Sequence, residues 1–435
     1  MKWIIGTLVL LCIGLMSKLD LLVYAMYALL GVLLFSRYFA NQWTQTLFTK
    51  RTCNESFVEI GEPVEVELGV QNQGTLSIPW LLLEESFGRA GLAEVPPRLK
   101  VEGEHIKVMK LVPDEVGMMR YRVTFLTRGY FQLGPVLLET GDVFGLHRRY
   151  RVETEPHFVM VLPKVLPLQG YTLASQRPIG EIRIAHRLFE DPTRLAGIRP
   201  YQQGDALNRI HWRATARAGS LHSRLYETSR VTGAIFLLDF YRDSYPGIAG
   251  APAMELAVTT VASLTNAVFL QGEQVGFASN GADGAERVRL RGWPAEFVTH
   301  PDVPAPAMRA QAGELRPVMV PTLKGADQLQ HILEALGRLE PTGLVTFDEF
   351  LEEFSSDLRR DATVVPVLGK VTARIAHVLG ELVRRGYTVH AIVILYEHSA
   401  NPDWAQPPEW AAMLMAQEVK FQTVTSEESI PQVCA

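Results

Sequence analysis

Two apolar runs open the chain. Trp3 to Met16 carries no charge and is mostly aliphatic, Leu21 to Phe35 repeats the pattern, and Ser17-Lys18-Leu19-Asp20 separates them. Each run falls slightly short of the roughly 20 residues that a spanning helix needs. Lys2, Lys18 and Arg37 can snorkel to the interface and lengthen the effective span. Residues 1–50 therefore predict a transmembrane helical hairpin that returns the chain to its starting side. Lys2 precedes the hairpin and Arg37, Lys50 and Arg51 follow it, while Lys18 and Asp20 cancel in the turn. The positive-inside bias then puts both ends in the cytoplasm, with the soluble domains facing inward from the inner membrane. A signal peptide cleaved after Val23-Tyr24-Ala25 is the competing reading. It is weakened by Lys18 and Asp20 and by the apolar run continuing past Ala25.

Residues 51–165 read as β. Val64 to Val70 alternates as a half-buried strand does. Ile78 to Glu84, Lys107 to Val112, Met118 to Leu126 and Val136 to Glu139 predict further strands, punctuated by Gly61-Glu62-Pro63, Asn72-Gln73-Gly74 and Pro113-Asp114. Short strands at this spacing predict a small β-sandwich. Residues 166–230 are rich in Arg and Gly without a long periodic stretch, which predicts an extended connector packed against its neighbours.

From 231 to 435 the texture changes again. The predicted order is strand Ala234 to Leu238, helix Met254 to Leu270, strand Gln274 to Ala278 and helix Gly325 to Leu339. Strand Ala362 to Leu368, helix Val371 to Arg385, strand Val389 to Leu395 and helix Glu409 to Ala416 complete it. Apolar strands alternating with amphipathic helices predict a doubly wound, mainly parallel α/β sheet. The fold class is thus multi-domain α+β, with the hairpin, the sandwich and the α/β domain in series.

Composition narrows the partners. At 435 residues the chain exceeds one compact core, and its net charge of −5 creates no field that recruits nucleic acid. Cys12, Cys53 and Cys434 form neither a disulfide framework nor a metal spacing, which suits a reducing compartment.

Two segments carry a family resemblance: RGYFQLGPVLLETGDVFGL, from Arg128 to Leu146, and GIRPYQQGDALNRIHWRATAR, from Gly197 to Arg217. Together with the hairpin and the α/β domain they resemble the bacterial family called domain of unknown function 58. The resemblance implies a von Willebrand factor A-like domain with an altered metal site. It also implies partnership with a MoxR-type AAA+ ATPase and a transglutaminase-like membrane protein. Membrane lipid is the expected partner of the hairpin.

In the second segment Tyr201 and Gly204 precede Asp205, a residue suited to cap a helix. If helix follows, Arg209, Arg213 and Arg217 share one face and Trp212 points elsewhere, with aromatic area to bury. His211, His222 and Arg224 add basic character. One reading is a docking surface for an acidic partner or a phosphate. The expectation we carry forward is the other: these arginines pair internally with acids such as Asp205 and Glu227 and pin the connector. In the first segment Gly129, Gly134, Pro135 and Gly141 punctuate a strand pair, Asp142 reads as a turn acid and Phe144 as a buried anchor.

By resemblance, the metal site would begin at Asp239-Phe240-Tyr241-Arg242-Asp243, where Tyr and Asp stand at the two serine positions. Thr322 would match the second loop, and Gly369-Lys370 offers no carboxylate for the last. Asp239, Asp243 and Thr322 are the candidate ligands for a weakly held Mg2+, and the expected cofactor is none.

Catalytic signatures are missing from the sequence: there is no Gly-x-Ser-x-Gly, His-Glu-x-x-His, Cys-x-x-Cys or Gly-Lys-Ser/Thr. Asp348, Glu349, Glu352 and Glu353 around Phe347 and Phe350 read as the solvated face of an amphipathic helix. The sequence thus predicts a non-catalytic membrane-anchored interaction scaffold. The alternative is a cation-dependent receptor using a degenerate adhesion-type metal site.

Overall fold

The computed structural model describes residues 2–87, 98–142, 147–153, 156–168, 190–202, 210–228, 233–247, 249–291, 297–300, 315–359, 362–396 and 408–434. Asp205, Arg209 and Phe144 lie outside these residues, as does Gly204.

The first helix, α1 (Lys2–Met16), turns at Lys18 and returns as α2 (Asp20–Gln45). At 1.5 Å per residue α2 is about 39 Å long, well beyond the apolar run that ends at Phe35. Its last turns are amphipathic, so they leave the apolar register and pack on the next unit. Phe39 and Trp43 join that unit's core.

Ten strands follow: β1 (Leu47–Cys53), β2 (Phe57–Val58), β3 (Pro63–Asn72), β4 (Ile78–Phe87), β5 (Leu99–Gly103), β6 (Ile106–Leu111), β7 (Val116–Phe125), β8 (Gly129–Gly141), β9 (Arg148–Glu153) and β10 (His157–Val161). One sheet has the order β1-β3-β7-β5 and the other β2-β10-β8-β4-β6, with β9 on β8. In β3 every second residue from Val64 is buried, as its alternation requires. The buried sets of both sheets meet in one apolar core that includes Val66, Leu68, Leu83, Phe125 and Val136.

The segment after β10 runs along the last unit. Val165, Leu166 and Leu168 pack on that unit's core, and the Leu166 N–H donates to Ser263 Oγ at 2.9 Å. The expected extended connector is then replaced by an antiparallel hairpin of β11 (Glu190–Pro200) and β12 (His222–Thr228), with helix α3 (Trp212–Ala218) between them. Periodicity could not reveal this hairpin, since two adjacent strands with a helix in their loop give no sustained repeat.

The last unit contains β13 (Gly233–Leu238), α4 (Gly250–Leu270), β14 (Gln274–Asp283), α5 (Gly284–Arg291), β15 (Pro317–Leu323), α6 (Ala326–Arg338) and β16 (Leu339–Glu340). It continues with α7 (Phe347–Phe354), β17 (Thr363–Leu368), α8 (Ala373–Arg384), β18 (His390–Ile394), α9 (Pro408–Ala416) and β19 (Lys420–Val424). The sheet order is β15-β14-β13-β17-β18-β19; β13, β14, β17, β18 and β19 run parallel and β15 antiparallel at the edge. Helix α4 is long and apolar enough to cross a membrane, but most of it is buried in this unit's core. The acidic cluster behaves as its pattern predicts. Phe347, Phe350 and Phe354 are buried on one face of α7, Asp348 pairs with Arg374 at 2.9 Å, and a capping box links Thr346 and Glu349.

The two sheet-bearing units meet at Arg128. It stands in the turn from β7 to β8 and is buried. Its Nη1 donates to the carbonyls of Leu336 (2.7 Å) and Leu339 (2.9 Å), its Nε lies 3.1 Å from Glu255 Oε2, and its guanidinium sits over the Phe240 ring at 5.4 Å. Those carbonyls end α6, so the cation also meets the negative end of a helix dipole.

Candidate functional site

The carboxyl edge of the parallel sheet is the natural place for a site. Sheet order reverses between β13 and β17, and the loops leaving those strands diverge to opposite faces. Asp239 follows β13 there and is wholly buried. Its Oδ1 accepts from the Tyr241 N–H at 3.1 Å, and its Oδ2 makes no hydrogen bond among the described residues. Burial pushes the carboxyl up to about 6, tempered by Ser244, Asn280 and the backbone N–H groups of Tyr241 and Gly369.

Asn280 organises the neighbouring loop. Its Oδ1 accepts from the Phe240 N–H at 2.7 Å and its Nδ2 donates to Val345 O at 3.1 Å. Tyr245 fills the crevice itself. Its hydroxyl donates to Asp239 O at 2.8 Å, and a Cβ added to Gly369 would stand 2.5 Å from the ring. Glycine is therefore required at 369 by the close approach of an aromatic ring.

The expected ligand set does not assemble. Asp243 is exposed on the 3-10 turn Arg242–Ser244, whereas Ser244 is buried and faces Asp239. Thr322 sits in the antiparallel strand β15 against Gly276, and Gly276 pairs with Ile235. Asp239 lies four residues beyond Ile235, so Thr322 is displaced by roughly 13 Å along the sheet. Among the described residues no group of three or more His, Cys, Asp or Glu side chains is placed to hold a metal ion. Sequence reasoning missed Ser244 and Asn280. The signal for Asn280 was a polar residue at the end of a strand whose true length runs to Asp283.

The arginine-rich signature has a different environment from the one expected. Helix α3 is capped by His211, whose Nδ1 accepts from the Ala214 N–H at 3.0 Å, and ends at Gly219 with φ 70°. It contains no buried residue. Trp212 is 66% exposed, and Arg213 and Arg217 are both exposed. The expectation that Arg213 and Arg217 are internal clamps, and that Trp212 buries its ring, is thereby overturned. Among the described residues nothing packs closely enough on this seven-residue helix to bury any of its side chains. Tyr201 is half-buried at the end of β11, its N–H donating to Leu221 O at 2.9 Å. The buried clamp is Arg128, the first residue of the other signature segment, which had read only as strand punctuation.

Residues 197–291 match the model of a family described as "Protein of unknown function DUF58", a stretch that covers α3, β12, β13, α4 and β14. The chain is also similar to an uncharacterized protein, YeaD, of Bacillus subtilis (strain 168), with 21% identity over 262 residues. That match covers 60% of this chain and 62% of the relative, so the chain spans less than two thirds of it. Among solved structures, a FixG-related protein from Vibrio parahaemolyticus aligns with 8% identity and TM-score 0.18, over 27% of this chain and 96% of that one. A CARDB domain from Pyrococcus furiosus aligns with 16% identity and TM-score 0.18, over 26% and 91%.

Proposed function

We propose that the chain is a non-catalytic, membrane-anchored interaction scaffold that docks an acidic protein partner through α3. On this reading α1 and α2 anchor it in the inner membrane, the two sheets form a β-sandwich, and the last unit is a von Willebrand factor A-like domain on the cytoplasmic side. The partner class implied by the family resemblance is a MoxR-type AAA+ ATPase, with a transglutaminase-like membrane protein in the same assembly.

One observation carries the reading. Trp212, Arg213 and Arg217 stand exposed on a helix that buries nothing. Trp and Arg are the residue types that most often dominate interfaces, and cations presented without burial suit an acidic surface. The order β15-β14-β13-β17-β18-β19 with an antiparallel edge supports the domain assignment, since it is the 3-2-1-4-5-6 order of doubly wound sheets.

The test uses the full chain in detergent and a purified MoxR-type ATPase. Arg213→Ala with Arg217→Ala is expected to change stability by less than about 0.5 kcal/mol, while binding falls at least about tenfold and raised salt reproduces the loss. Unchanged binding in the double variant would remove α3 as the docking element.

The buried Oδ2 of Asp239, which lacks a close hydrogen-bond partner among the described residues, favours a second reading, the cation-dependent receptor. Asp239→Asn separates the two. The Asp239 carboxyl is raised from 3.8 to about 6, so its contribution to stability is present below 3.8 and is lost as pH rises through about 6. The asparagine variant is expected to lack that loss. If instead the wild-type protein gains about 2.7 kcal/mol at a Mg2+ concentration 100 times its Kd, and the variant does not, the receptor reading displaces the scaffold.

A further inference from the structure

A short segment of the last unit lies on the outer face of the first. Residues 297–300 stand between α5 and β15 in the chain, yet they dock on β4, β8 and β9. In β4 and β8 the side chains of Leu83, Val136 and Leu138 point into the core, so their neighbours Glu84, Leu137 and Glu139 point away from it. Register aligns the outward residues in two rows across the sheet: Glu84, Leu137 and Val152 in one, Glu139 and Tyr150 in the next.

The segment engages both rows. Phe297 is fully buried against Leu137, with Val152 beside it. The Val298 N–H donates to Glu84 Oε1, and Thr299 gives Oε2 both its N–H, at 3.0 Å, and its hydroxyl. His300 Nε2 lies 2.9 Å from Glu139 Oε2, and its ring packs on Tyr150 with centroids 5.4 Å apart. Arg148 approaches the other Glu139 oxygen at 3.6 Å. Val298 is 65% exposed, so side chains alternate between the sheet and solvent along the segment. An apolar socket for one side chain, with main-chain N–H groups met by a fixed acceptor, is how an extended peptide is held.

Opposing terms act on this contact. Phe297 burial and the charge-assisted hydrogen bonds favour closure. Glu84 and Glu139 are 1% and 3% exposed with the segment in place, and taking two carboxylates out of water opposes it. Because both stand on an outward face, they regain water when the segment lifts, and opening strands no charge. The core on the other side of the sheet stays intact, since neither Phe297 nor Leu137 belongs to it.

We propose that residues 297–300 are an internal ligand, a strap that fills a peptide-recognition site on the first sheet-bearing unit and blocks it. The ligand class is an extended segment with an aromatic residue, a serine or threonine two places on and a histidine after that, because those are the groups the two rows engage. A partner carrying such a segment displaces the strap and takes its place beside Glu84. The site is separate from α3 and does not depend on the anchor reading.

A fluorescein-labelled peptide of residues 294–302 tests this against the full chain in detergent, read by anisotropy. Wild type should bind it poorly, because the tethered strap competes at high effective concentration. Phe297→Ala empties the socket and should bind the peptide at least about tenfold more tightly. Adding Glu84→Gln to Phe297→Ala should remove most of that gain, and a peptide with alanine at the Phe297 position should not bind. Amide exchange of the wild-type chain gives a second readout that needs no variant. The Val298 and Thr299 amides should exchange through local opening, faster than the amides of β8. Equal affinity of wild type and Phe297→Ala for the peptide overturns the proposal. Exchange of those two amides only through global unfolding also overturns it, whether or not Phe297→Ala folds, since residues 297–300 would then be fixed packing and not a strap.

Discussion

Replacing Arg128 with alanine is expected to destabilise the α/β unit by about 2–4 kcal/mol, because the carbonyls that end α6 lose their donor and an unmet buried acceptor costs about 1–3 kcal/mol. The guanidinium neutralises the end of α6, satisfies the Leu336 and Leu339 carbonyls and pairs with the exposed Glu255, all from the other sheet-bearing unit. Alanine removes these partners together and leaves a cavity over Phe240. Arg128→Lys keeps the charge without the planar fork, so it should recover part of the loss and remain about 1–2 kcal/mol short. Thermal melts of the full chain in detergent will show the defect as an early transition in the alanine variant. A melt matching wild type would mean that water reaches the α6 carbonyls and that Arg128 does not couple the two units.

The second large effect lies between the two sheets of the first unit. Arg51 in β1 and Glu85 in β4 belong to different sheets and pair across the core, Nη2 to Oε1 at 2.6 Å, with side chains 5% and 0% exposed. Burial pushes the Glu85 carboxyl up to about 7 from 4.5, with Arg51 opposing the rise and the Tyr121 hydroxyl beside it. Gly134, at φ 83°, lies against the Arg51 guanidinium, and a side chain there would collide with it.

Arg51→Met is expected to cost about 3–5 kcal/mol at pH 8, because it strands a buried carboxylate. The cost should shrink towards pH 5, where that carboxyl takes up a proton. In the wild-type protein the raised pKa contributes stability that is fully present below about 4.5 and is lost as pH rises through about 7. Glu85→Gln should flatten that part of the stability profile. Equal gaps between wild type and Arg51→Met at pH 5 and pH 8 would show that Glu85 does not titrate in this window.

Much of the architecture is local and was therefore written in the chain. The alternation from Val64 to Val70 defines β3, and the unbroken apolar run from Ala234 to Leu238 defines β13, because period and run length depend only on neighbours in sequence. The two apolar helices, and the alternation of strand and helix after residue 231, are legible for the same reason. The amphipathic α7, with its phenylalanines inside and its acids outside, was readable as well.

What the tertiary structure decided were the properties that belong to pairs of distant residues. Arg128 and Arg213 are the same side chain in similarly Gly-flanked or basic surroundings. Only the approach of α6, more than two hundred residues later, buries one and leaves the other in water. Ser244 rather than Asp243 faces Asp239 because a 3-10 turn shifts the register of that loop by one residue. Thr322 falls away from the sheet edge because β15 runs antiparallel, a direction that no local periodicity encodes. Strand direction, register and burial are set by long-range contacts, whereas the sequence pattern fixes only which faces are apolar.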